Sequence, residues 1–232
     1  MADMDRDRDI VEIVEIARSQ SERGEVVLRR RTNELGADVF ELRVNGIFVM
    51  DTHETSSEIA LAAAALELVA DPRDVVVGGL GLGFTTHRVL ADPRVEQVTV
   101  VEIEDALIGW MRDGTVPQGR AILADQRVRI VNADISMAIE EARSTYDLIL
   151  LDVDNGPGYL VNEANERIYE PDFLARCRDL LNPDGVLVVW SAAAAPELLD
   201  AMRTVFGEAD EQVHDVLLQE RPETYHLFLA RR

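Results

Sequence analysis

Three carboxylates in this chain stand where an apolar run stops, which is where a buried sheet hands side chains to a ligand. Glu102 follows Val98-Thr-Val-Val, Asp134 follows Val131-Asn-Ala, and Asp152 follows Leu148-Ile-Leu-Leu, with Asp154 two residues further on. A carboxylate accepts two hydroxyl donors at once, one on each oxygen, which neither an amide, with its single oxygen, nor an amine can do. About twenty residues before Glu102 lies Val75-Val-Val-Gly78-Gly79-Leu-Gly81-Leu-Gly83-Phe84. Here a strand runs into closely spaced glycines and then a helix. Glycines let the backbone turn sharply and approach a ligand, and a helix N-terminus offers free N–H donors. Gly78, Gly79, Gly81 and Gly83 are therefore candidate nucleotide contacts, with Glu102 on the ribose diol. The dinucleotide fingerprint G-x-G-x-x-G fails, because it would need glycine at Phe84 or Thr86, so NAD is disfavoured.

Each of these residues also has a plainer reading. The glycines alone could be a tight strand-to-helix bend, and Glu102 alone a solvated strand-end charge; behind the turn, the ribose role is favoured. Asp134 either accepts from an adenine amino group or caps the helix that follows it. Asp152 ends the fourth strand beside the glycine turn. Asp154 can reach an amine, or it is a turn residue before Asn155-Gly156-Pro157. Tyr159 and Tyr169 line a pocket, or they are a loop aromatic and a helix-face packing residue.

The elements that must position these groups alternate from Asp74 onward. Strands are expected at Val75–Val77, Val98–Val101, Val128–Val131, Leu148–Leu151 and Val186–Val189. Helices are expected around 84–91, 104–112, 135–143, 164–181 and 195–206. Continuous Val/Ile/Leu strands imply a sheet covered on both faces, and the alternation implies parallel connections. Gln212–Gln219 and Thr224–Ala230, split by Pro222, read as an antiparallel closing pair. Ser56–Ala70 reads as a helix. Before it, Val26–Leu28, Val39–Val44 and Ile47–Met50 are strand-like, and Asn45-Gly46 signals a hairpin. Residues 1–9 read as a frayed tail. The expected fold is α/β: a doubly wound, mostly parallel seven-stranded sheet, Rossmann-like and of the class I methyltransferase type, with a small N-terminal β-hairpin module. The expected division is 1–55 for the tail and β module and 56–232 for the nucleotide-binding domain.

Composition removes several chemistries. The 232 residues hold 44 acids against 23 basic residues, a net charge of −21, and one cysteine, Cys177. Such a field repels phosphate backbones, so nucleic acid is not an expected partner and a cationic small substrate is. All 23 basic residues are arginine, which excludes a Schiff-base lysine and a Walker lysine. One cysteine and four histidines leave no zinc-ligand spacing, so no metal is expected. No apolar stretch reaches membrane-span length, and Met1–Asp9 lacks a signal-peptide core, so a soluble cytoplasmic protein is expected.

From Glu41 to Ser191 the chain resembles the spermidine synthase family, the aminopropyltransferases. The matching pieces are the Asn45-Gly46 hairpin followed by Glu58, the Gly78–Gly83 turn, Val101-Glu102-Ile103-Glu104 and Val128–Asp134. Tyr146–Asp152 and the Asn182-Pro-Asp-Gly185 turn complete the set. The resemblance implies that Glu102 and Asp134 hold ribose and adenine of S-adenosylmethionine or its decarboxylated form. It also implies that Asp152 deprotonates and orients an attacking amine, with Glu58, Asp154, Tyr159 and Tyr169 on the substrate side. Three positions depart from the family pattern. Gly81 replaces an aspartate that holds the aminopropyl ammonium. Ser56-Ser57-Glu58 keeps only the acid of Tyr-His-Glu. Asp152-Val-Asp154-Asn155-Gly156-Pro157 reduces Asp-x-x-Asp-Pro. A turn of bare N–H groups at Gly79–Gly83 would suit the carboxylate of intact S-adenosylmethionine better than the decarboxylated form.

The expected activity is thus aminopropyl transfer to an amine. Methyl transfer from S-adenosylmethionine and a non-catalytic nucleotide-binding relative are the alternatives. Phe40, Leu42, Phe48 and Met50 give the hairpin apolar residues on both arms, so it is expected to pack against the core or a second copy, with a homodimer preferred.

Overall fold

The computed structural model describes residues 13–32, 36–158, 160, 163–218 and 221–232. The tail expected at 1–9 and the candidate Tyr159 lie outside them.

The chain begins with a four-stranded antiparallel sheet in the order β1 (Ile13–Ser21), β2 (Gly24–Thr32), β3 (Asp38–Val44), β4 (Ile47–Asp51). Val44 faces Ile47 across Asn45-Gly46, whose φ values of 52° and 78° are both positive, as a two-residue hairpin twisting with its strands requires. Leu42 and Met50 are buried in the main core, so the hairpin's apolar arms pack against the rest of the chain.

After α1 (Ser56–Leu68) come the seven strands β5 (Asp74–Gly78), β6 (Gln97–Glu102), β7 (Val128–Asn132), β8 (Tyr146–Leu151), β9 (Leu181–Ser191), β10 (Asp210–Leu218) and β11 (Arg221–Arg231). Their order is β10-β11-β9-β8-β5-β6-β7, with β5 to β9 parallel and β11 antiparallel to both its neighbours, β9 and β10. Every residue of Val75–Val77 and Leu148–Leu151 is buried, as the unbroken apolar runs demand of central strands covered on both faces. One face packs against α1, α2 (Phe84–Leu90), α3 (Asp105–Asp113), α4 (Gly119–Leu123) and the N-terminal sheet. The other packs against α5 (Ile135–Glu141), α6 (Pro171–Leu180) and α7 (Pro196–Phe206). The chain winds from β5 outward through β6 to β7, then returns to β8 beside β5 and winds the other way. That reversal opens a crevice beyond the carboxyl ends of β5 and β8.

Four local expectations change. The helix expected over 164–181 is a 3-10 segment, Glu163–Tyr169, followed by α6, which starts at Pro171 because proline is favoured at a first helical turn. The Asn182–Gly185 turn is an irregularity inside β9, where the register jumps between Tyr146 opposite Leu181 and Leu148 opposite Val186. Pro222 does not split the closing pair: it lies in β11 opposite Leu217, and β11 joins β9 only from His226, so no second partner needs the missing N–H. The short α4 was not foreseen. No helix among the described residues is long and apolar enough to cross a membrane.

Candidate active site

The crevice is a cleft of about 900 Å³. Register fixes its layout. Gly78 pairs with Val101 on one side and Leu151 on the other, so Glu102 and Asp152 emerge on strands flanking Gly79. Gly79 has φ +90°, and a Cβ there would stand 2.0 Å from the Asp152 carbonyl oxygen. Only glycine lets the turn pass so close to β8.

Glu102 is buried and lines the cleft. One carboxylate oxygen accepts the Leu80 N–H at 2.9 Å and the other the Glu104 N–H at 2.7 Å. Burial pushes its pKa up against the pull of those N–H groups. Asp134 also lines the cleft, and it caps α5 as the plainer reading held: its Oδ1 accepts the N–H of Ser136 at 2.8 Å, while Arg167 donates to Oδ2. Burial raises the Asp134 carboxyl, but Ser136 and Arg167 outweigh it and hold it below its ordinary value.

Gly79 and Gly81 line the cleft; Gly83 instead backs onto Ile122 and Met111, and Gly78 onto Ile135 and Leu151. The turn is not a cradle of bare N–H groups. Gly79 donates to the Val101 carbonyl, Leu80 to Glu102, Gly83 to the Leu80 carbonyl, and Leu82 to the Met50 thioether at 3.2 Å. Gly81, where the family pattern has an aspartate, has φ +48° and Met50 Sδ 2.7 Å from the position of a Cβ. The hairpin's thioether thus fills the space where that side chain would begin.

Asp152 lines the cleft, and Thr85 donates a 2.7 Å hydrogen bond to its Oδ2. Burial raises its pKa to about 6, against the pull of Thr85. Across from it Glu58, on the first turn of α1, is 7% exposed and accepts from Ser57 Oγ at 2.6 Å. Burial, and then the charge of Asp152, push Glu58 up to about 7. Asp154 is buried in the same wall, accepting the Asn155 N–H and Asn165 Nδ2, both at 2.7 Å. Tyr169 is buried outside the lining, its hydroxyl pushed up first by burial and then by the charges of Asp154 and Asp152.

Five further contributors were not read from the sequence. Met50 seals Gly81, and Thr85 holds Asp152. Arg23, in the β1–β2 turn, donates to Glu104 at 2.9 Å and to the Ile103 carbonyl at 2.7 Å, closing the Glu102 end. Trp190 and Tyr225 wall the opposite end from β9 and β11. Trp190 carries a signal in hindsight, since a tryptophan at a parallel strand's carboxyl end belongs to the crevice rim; Met50 and Arg23 carry none. Among the described residues, Asp51, Glu54, Glu58, Glu102, Glu104, Asp134, Asp152, Asp154 and Glu223 line the cleft against one arginine, Arg23. Arg31 and Arg167, outside the lining, pair with Asp51 and Asp134, and the remaining surplus of acids gives the cleft a field that favours cations.

The spermine/spermidine synthase domain model matches residues 54–215. A polyamine aminopropyltransferase of Synechococcus is 28% identical over 147 residues, covering 59% of this chain and 45% of that protein. Another, of Saccharolobus solfataricus, is 26% identical over 155 residues, covering 66% and 50%. The chain spans half or less of the length of these relatives. A spermidine synthase solved in complex with the transition-state analogue AdoDATO superposes with a TM-score of 0.79 at 20% identity, covering 95% of this chain and 75% of that one. The spermidine synthase of Thermotoga maritima gives 0.73 at 21%, covering 94% and 72%. With the family model spanning well over half of its residues, this chain belongs to the spermine/spermidine synthase domain family.

Proposed function

We propose that the cleft transfers an aminopropyl group from decarboxylated S-adenosylmethionine to a small amine. The observation that carries this reading is Asp152: a buried carboxylate beside the Gly79 turn, bonded to a hydroxyl and to no arginine among the described residues. An amine attacks only through its lone pair, so its ammonium form must first lose a proton. Asp152, with a pKa raised to about 6, remains mostly ionised at neutral pH and is a stronger base than an ordinary aspartate. In the reaction the amine nitrogen bonds to the donor's aminopropyl carbon, the C–S bond breaks with its electrons going to sulfur, and methylthioadenosine leaves. Glu102 would hold the ribose, Asp134 the adenine edge, and Gly79 and Gly81 the nucleoside's path past the turn, with Gly78 and Gly83 supporting that bend. Glu58 and Asp154 would hold the amine, and we extend the same role to Tyr159, whereas Tyr169, buried outside the lining, would pack behind Asp154. The division at 55/56, a cytoplasmic location and a homodimer complete the proposal; light scattering giving twice the chain mass would support the last.

Methyl transfer from intact S-adenosylmethionine is the second reading, favoured by the absence of a carboxylate at Gly81. Against it stands the turn itself, whose N–H groups at 79, 80, 82 and 83 are already engaged. Calorimetry with S-adenosylmethionine, its decarboxylated form and methylthioadenosine separates the two. The deciding variant is Asp152→Asn, which keeps shape and removes basicity. Turnover should fall by about 10²–10⁴-fold, the usual share of a positioned base, with methylthioadenosine affinity unchanged. Collapse of nucleoside affinity alongside activity would make Asp152 a nucleoside residue. Binding without turnover on any amine or methyl acceptor would leave the non-catalytic reading.

A further inference from the structure

Glu58 has no necessary part in the transfer chemistry, yet it is buried in the lining of the same cleft as the base and feels its charge. Nothing positive faces the pair among the described residues. From its own segment Glu58 meets Glu54 and the Ser57 hydroxyl. Across the cleft, β8 ends in Asp152, which is held by the Thr85 hydroxyl of α2, and Asp154 follows. The 3-10 segment brings Tyr169. From β11 come Tyr225 and His226, the latter turned onto Glu211 at 2.7 Å.

Two carboxylates facing one desolvated space without a cation do not both stay ionised. We propose that Glu58 and Asp152 share one proton in the ligand-free protein, held mainly on Glu58, and that an ammonium entering between them expels it. This rests on the reading of the cleft as an amine site. The assignment of the proton follows from asymmetry. Both groups are raised by burial, but Asp152 has the Thr85 donor pulling it down, and Glu58 also feels the Asp152 charge.

The balance is simple. Before binding, the pair carries one proton and one negative charge. Afterwards it carries two negative charges facing the ammonium, and the proton has gone to solvent. Glu58, now ionised, raises the basicity of Asp152 as the nitrogen sheds its own proton during N–C bond formation and C–S cleavage. Glu58 therefore both faces the ammonium and sets the basicity of Asp152.

The test has two arms. In the first, the carboxyl ¹³C signals of protein labelled at Glu and Asp are titrated in wild type, Glu58→Gln and Asp152→Asn without ligand. One carboxyl should titrate near 7 in wild type, vanish in Glu58→Gln, and move down by roughly one unit or more in Asp152→Asn. Titration of every carboxyl below about pH 5.5 would overturn the shared proton. In the second, 1,4-diaminobutane is titrated at about pH 6.5 into protein saturated with methylthioadenosine, in buffers of different protonation enthalpy. Wild type should release about one proton per diamine bound, and Glu58→Gln clearly less. Diamine binding without proton release overturns the expulsion. If the carboxyl titrates near 7 but no diamine binds, the amine reading and the expulsion fall while the shared proton stands.

Discussion

After accepting the Leu80, Glu104 and Ile103 N–H groups, the Glu102 carboxylate keeps acceptor capacity that can face the cleft. The protein's own bonds thus aim the carboxylate without filling it. Glu102→Ala should weaken methylthioadenosine by about 1–3 kcal/mol, the scale of hydrogen bonds to a charged acceptor; calorimetry showing unchanged affinity would remove the ribose assignment. Glu58 makes a different statement, about stability. Its rise from 4.5 to about 7 means the folded state binds more protons than the unfolded chain between those values. Stability must therefore increase as pH falls through that window, and ionised Glu58 opposes folding by roughly 3 kcal/mol above it. Urea midpoints should rise from pH 8 to pH 5.5. Glu58→Gln should flatten that slope, leaving the smaller shares due to Asp152, itself raised to about 6, and to overall charge. A mutant slope equal to wild type would contradict the raised carboxyl.

At the scale of elements, the glycine turn divides its labour. Gly79 permits contact with β8, and Gly81 accommodates the hairpin's thioether. Gly79→Ala would combine a positive φ with a Cβ 2.0 Å from a backbone oxygen, and should cost about 2–4 kcal/mol of stability, read by urea denaturation. A loss under 0.5 kcal/mol would mean the turn and β8 part easily. The turn and the strands around it were legible because their signals are local: four-residue apolar runs, a glycine cluster, acids at fixed offsets. The turn's N–H groups look bare in the sequence because the side chains that engage them are distant in it. Met50 reaches Leu82 across 32 residues and Glu102 reaches Leu80 across 22, and no spacing rule announces either. Asp134 shows the opposite limit. Capping and ligand contact need the same residue at the same place, so sequence alone left both open, and the Ser136 bonds show the cap directly. The five residues of α4 are too few for a periodic pattern.

For the whole molecule, the relevant quantity is charge and where it is concentrated. The chain carries −21, and nine of its carboxylates surround one cleft with Arg23 the single arginine there among the described residues. The N-terminal sheet contributes to the enclosure as well as the core: Met50 covers Gly81, and Arg23 joins the β1–β2 turn to Glu104. A low-dielectric wall on that side focuses the field of the acids toward the open side of the cleft. A doubly charged amine approaching from solvent should then be steered inward, and a neutral nucleoside should not. Steering acts over distances that salt shortens, from a Debye length of about 20 Å at low ionic strength to below 6 Å at several tenths molar. Stopped-flow association of 1,4-diaminobutane with the methylthioadenosine complex should accordingly slow by about tenfold or more between about 20 mM and 300 mM salt. Methylthioadenosine binding to the free protein should change less than about twofold over the same range, because a neutral ligand gains nothing from the long-range field. Equal salt sensitivity for both ligands would mean that the acids act only on contact, through the Asp152 and Glu58 carboxylates, and that the surplus charge elsewhere on the chain has no part in capture.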